Sequence, residues 1–111
     1  MDDLVRRLAE GNHQVVVGGP QPTLEEFKNR VEDMGYVFIK FTETRGGTDL
    51  GVRVDKSATH LSQASFDQAT GLAHVEGTLT LNYVKVRCVA DIDLATLRGT
   101  GHLVALEEVH P

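Results

Sequence analysis

The sequence predicts an α+β domain, a mostly antiparallel sheet of about five to six strands packed against one main helix over residues 23–34, with a short N-terminal helix besides. Three observations predict it. Leu24, Phe27, Val31 and Met34 recur at helical spacing and form one apolar stripe. Beyond Gly35 the apolar residues alternate with period two, as half-buried antiparallel strands require. The 111 residues contain no linker, internal repeat or low-complexity tract, so residues 1–111 read as a single domain.

The elements follow in order. Asp2 and Asp3 place negative charge on a first helical turn, Leu4, Val5 and Leu8 follow at helical spacing, and Gly11 is a natural stop. At about ten residues such a helix is marginal alone and must pack on something. Residues 13–17 read as a short strand, and Gly18-Gly19-Pro20-Gln21-Pro22 as a tight connection. Thr23-Leu24-Glu25-Glu26 is a capping box in which Thr23 and Glu26 satisfy each other's backbone amides. Gly35 suits the left-handed position that closes the helix.

Val37, Ile39 and Phe41 then share one strand face. Arg45-Gly46-Gly47-Thr48-Asp49 turns the chain, and Leu50, Val52 and Val54 share a face on the return. Residues 61–67 are a weaker strand candidate, ended by Asp67-Gln68-Ala69-Thr70-Gly71. Val75, Leu79, Leu81 and Tyr83 hold odd positions, whereas Val84, Val86, Cys88, Ala90, Ile92 and Leu94 hold even ones. Such a parity switch requires a bulge or a turn, and a two-residue hairpin turn at Asn82-Tyr83 supplies it. Leu81 then faces Val84, Leu79 faces Val86, and Gly77 faces Cys88. Arg98-Gly99-Thr100-Gly101 reads as a further turn, with residues 102–109 as the last strand.

Composition removes several functions. Sixteen Asp and Glu against 11 Lys and Arg leave a net charge of −5, and the basic residues are scattered, so no stripe exists to neutralise nucleic-acid phosphates. The longest apolar runs, Tyr36-Val37-Phe38-Ile39 and Val15-Val16-Val17, fall far short of a bilayer span or a signal peptide's apolar stretch. The expectation is a soluble, cytoplasmic protein without membrane contact. A single cysteine excludes an internal disulfide and any Cys-x-x-Cys site. No Trp and 5% aromatics argue against stacking platforms for bases.

The hairpin register also sets the opposite face, with His74 across from Asp91, Glu76 from Val89, Thr78 from Arg87, and Thr80 from Lys85. Side chains directly opposite lie about 5 Å apart at Cβ, close enough for the Asp91 carboxylate to orient the His74 imidazole. A His held by an Asp is a standard general base, and Glu76 is a second acid nearby. The alternative is a solvated ladder of opposite charges that does no more than stabilise pairing. The five histidines, at 13, 60, 74, 102 and 110, lack the spacing of a metal site, so no metal is expected, even if His60, His74 and His102 converged. His110, beside Pro111, is expected to be mobile.

The segment 18–22 superficially resembles a phosphate cradle but matches neither phosphate-binding glycine motif. Its prolines remove amides, and Glu25 and Glu26 would repel an anion, so no cofactor is expected. Cys88, at an inward strand position, reads as a small buried hydrophobe with a raised pKa. Ser57, Ser62 and Ser65 lie in no nucleophile motif.

The function expected is therefore that of a small non-catalytic binding module. It would act on itself as a homodimer, on a protein partner or on a small ligand. The rival is a small proton-transfer or hydrolytic enzyme built on His74, Asp91 and Glu76. The largest hollow of the folded chain, and what lines it, separates the two.

Overall fold

The period-two pattern folds into an antiparallel sheet that curls until its ends meet. A computed structural model describes residues 1–109; His110, expected to be mobile, lies outside them. The elements are α1 (Asp3–Ala9), β1 (His13–Val17), α2 (Leu24–Asn29) running into a π-helical turn (Arg30–Met34), β2 (Tyr36–Phe41), β3 (Thr48–Val54), β4 (Ala64–Ser65), β5 (Thr70–Leu81), β6 (Val84–Asp93) and β7 (Arg98–Glu108). The sheet thus has seven strands rather than five or six, because a two-residue strand forms inside the weak 61–67 candidate. No helix among the described residues is long and apolar enough to cross a membrane.

Strand order is β3-β2-β1-β7-β6-β5-β4, and β3 also pairs with β5 through Arg53↔Thr78 and Val54↔Gly77. That contact joins the two ends of a six-strand run into a barrel whose seam is closed over these two pairs, with β4 as a ribbon outside it. Closure consumes much of the open edge through which a second copy, the homodimer among the expectations, would pair. Gly77 permits the closure. A Cβ there would lie 2.1 Å from the Arg53 carbonyl oxygen and 2.6 Å from Val52 Cγ1. Inward-facing Ile39, Phe41, Val52, Val75, Val86 and Ile92 fill the barrel, together with Val5 and Leu8 of α1 and Phe27 of α2.

The long hairpin has the register the parity switch implies: Leu81↔Val84, Leu79↔Val86, Gly77↔Cys88 and His74↔Asp91. Asn82 (φ 49°) and Tyr83 (φ 64°) are both left-handed, as a type I′ turn requires. Asn82 Nδ2 also donates to Asp2 Oδ2 at 3.2 Å, tying the turn to the residue that caps α1.

Three expectations are corrected. The segment 98–101 is not a turn: the chain reverses over residues 94–97, where Leu97 takes φ 58°, and Arg98 begins β7. Its glycines serve close packing instead. A Cβ on Gly99 would lie 1.7 Å from the Asp91 carbonyl oxygen, and one on Gly101 would crowd Ala90 and Val15 at 3.3 Å.

The capping box is half formed. Thr23 Oγ1 accepts from the Glu26 amide at 3.2 Å, but the Glu26 carboxylate turns to Arg30, one helical turn on, at 3.0 Å. The apolar stripe also breaks before its end. The Gly35 amide bonds the Arg30 carbonyl at 2.8 Å, a wide i→i+5 turn, with Gly35 at φ 69°. One extra residue in that turn rotates Met34 off the buried face, leaving it 53% exposed while Phe27 and Val31 stay buried.

Candidate functional site

His74 and Glu76 project outward from β5, and Asp91 and Arg87 project outward from β6 beside them. His74 Nδ1 meets Asp91 Oδ1 at 2.8 Å, and Nε2 meets Glu76 Oε2 at 2.7 Å. Ionised carboxylates only accept hydrogen bonds, so a ring that serves both must donate from both nitrogens, which is the imidazolium form. The His74 pKa is accordingly raised above its ordinary value. The Glu76 hydrogen bond is the main cause and Asp91 adds to it, against partial burial that acts the other way.

The cluster continues along the sheet. Arg87 reaches Glu76 Oε1 at 3.5 Å and Asp55 Oδ2 at 3.2 Å. Asp55 in turn accepts from the Ser57 hydroxyl at 2.6 Å. That bond, seconded by Arg87, holds the Asp55 pKa below its ordinary value. Acid and base thus alternate from Asp91 to Asp55.

The segment between β3 and β4 builds one side of the cluster. It runs down the free edge of β5, where His60 and His74 exchange backbone bonds at 2.9 and 3.0 Å. The His60 ring consequently stacks on that of His74, with centroids 5.9 Å apart. A shallow hollow of about 230 Å³ opens there, against His60, Ser62, Gln63, Leu72, His74 and Asp91.

Of the residues singled out from the sequence, His74, Asp91 and Glu76 are therefore in contact. Their arrangement limits the chemistry. A general base needs a free lone pair, and both ring nitrogens of His74 are engaged by carboxylates. His102 does not join them; its Nδ1 lies 3.1 Å from Asn12 Oδ1. Cys88 is buried, and its thiol is pushed up to about 12 by desolvation. Both glycine amides of the 18–22 connection are already engaged. The Gly18 amide bonds the Phe38 carbonyl at 3.0 Å, and the Gly19 amide bonds Asp49 Oδ2 at 2.9 Å.

A second feature, absent from the sequence reading, lies where barrel closure fails. The β3–β5 ladder stops at Arg53↔Thr78, and the strands part beyond it. The slot between them holds about 570 Å³. Leu50, Leu79 and Leu81 line it from the core side, while Arg53, Thr78, Thr80 and Lys85 line it from the outer face. Tyr36 leans over it, set edge-on against Phe38 with centroids 5.5 Å apart. For the charged cluster the sequence held one further usable signal, and for the slot none. The hairpin register places Arg87 diagonal to Glu76, but no pattern marks β3 and β5 as partners.

Fold and site together define a small antiparallel barrel of the α+β class, with a charged cluster on its outer wall and a slot in its seam. No protein-family model matches the chain, and no curated protein resembles it at a significant level.

Proposed function

We propose that the chain is a non-catalytic binding domain whose ligand is a small molecule seated in the slot between β3 and β5. One observation carries this reading: the larger hollow lies in the barrel seam, away from His74. Its size falls in the range of small-molecule sites, and barrel mouths are common places for them. The His74 cluster has the features of a structural clasp, since every charged group in it already has a partner.

A small-molecule fragment screen followed by amide NMR shifts tests the reading. Saturable shifts at Gly51, Arg53, Thr78 and Thr80 are expected. A screen whose hits all map to His60, His74 and Asp91, or that yields none, would overturn it.

The His74–Asp91 contact favours a second reading, a proton-transfer enzyme. It requires Glu76 to release Nε2 when substrate enters the hollow beside His60. Turnover of any ester or enolisable carbonyl substrate that disappears in His74→Gln would support it over the first.

A further inference from the structure

The slot's lining specifies a class of ligand, and we infer that it takes an amphipathic carboxylate, an anionic head group on an extended apolar chain. This rests on the reading of the slot as the ligand site. The apolar part is matched by Leu50, Leu79 and Leu81, which border the barrel core and are seen from outside only because the strands part there.

The charged part is matched by Arg53 and Lys85. Among the described residues, neither has a carboxylate within ion-pair distance, although the chain carries more acids than bases. Arg87, the next cation on the same face, is by contrast paired twice, with Asp55 and Glu76. An unpaired guanidinium and ammonium at the rim of one hollow attract an anion, and the guanidinium fork suits a carboxylate.

Backbone donors add to them. Arg53 and Thr78 are the last ladder partners, so the strand alternation turns the next edge groups, on Gly51 and Thr80, into the slot without a ladder partner. Gly51 has no Cβ, and the Tyr36 hydroxyl takes that space; a Cβ there would lie 1.9 Å from it. The hydroxyl is thereby held at the slot as a further donor. Asp49 is the one carboxylate among the described residues lining the slot, and it is engaged, accepting from the Gly19 amide at 2.9 Å.

The test is an NMR titration with octanoate, 1-octanol and octyltrimethylammonium, which share a chain and differ in head-group charge. Octanoate is expected to shift Gly51, Thr78 and Thr80 saturably, octanol to bind about tenfold more weakly, and the cation not at all. Arg53→Gln and Lys85→Gln, both at exposed positions, should each weaken octanoate about tenfold while leaving octanol unchanged. Equal binding of all three probes in the slot would overturn the ligand class and leave the slot itself as the site. The class fails in the same way if octanoate misses the slot while other fragments map there. Absence of any compound from the slot would overturn both readings.

Discussion

Truncating two residues of the main helix separates the structure from the simple helical stripe. Phe27 and Met34 fall on one face of a regular α-helix, yet Phe27 is 0% exposed and Met34 is 53% exposed. The Phe27 ring is buried in the core and lies 6.3 Å from that of Phe66, so Phe27→Ala removes a large apolar group and leaves a cavity. The expected loss is about 3–5 kcal/mol, a large part of the roughly 5–15 kcal/mol that holds a domain of this size. Val31→Ala, at a buried position one turn on, should lose about 1–3 kcal/mol. Met34→Ala should stay within about 0.5 kcal/mol, because its side chain already faces solvent. Urea denaturation reads all three, with a common m-value showing that stability alone has changed. A Met34→Ala loss above about 1.5 kcal/mol would refute the π-turn argument, as would a Phe27→Ala loss below about 1 kcal/mol.

Further outcomes follow from the clasp, the seam and the cap. The His74 pKa is raised in the fold, so its stabilising contribution is full below the unfolded value near 6.5 and is lost as pH rises through the folded value. Denaturation midpoints should fall over that window. Glu76→Gln should lower the His74 NMR pKa more than Asp91→Asn does, and unchanged titration in both would dismiss the clasp. Gly99→Ala forces a Cβ against the Asp91 backbone and should cost about 1–3 kcal/mol or more by denaturation, whereas a neutral result would return residues 98–101 to a turn. Thr23→Ala should cost about 1 kcal/mol and add to Glu26→Ala within roughly 0.5 kcal/mol, because the reciprocal bond is missing. Strong coupling in the double mutant would restore the full capping box.

What the sequence revealed depended on how local the constraint was. The parity change between Tyr83 and Val84 determined the hairpin, and the hairpin carried the His74–Asp91 contact with it. Both partners lie on strands joined by two residues, so one local turn sets a ten-pair register. Glu76 was legible as a neighbour, but its bond to Nε2 depends on side-chain rotamers that periodicity does not encode. Barrel closure rests on two residue pairs between strands separated by the β4 segment, and Gly77 marks it only once the strands are placed. Gly99 and Gly101 illustrate a real ambiguity: glycine serves turns and close backbone approach alike, and here it serves the second. The π-turn was hidden for a similar reason, since Leu24 to Met34 keeps helical spacing while the backbone does not.

The most direct measurement compares the affinity of the strongest screened fragment for two variants by calorimetry. Thr80→Trp places a bulky ring in the slot from an exposed strand position, and Glu76→Gln breaks the His74 clasp without touching the slot. Loss of binding in Thr80→Trp, with affinity in Glu76→Gln within roughly twofold of the parent, is the predicted result. Binding that survives Thr80→Trp and collapses in Glu76→Gln would place the ligand at His74 and contradict the account.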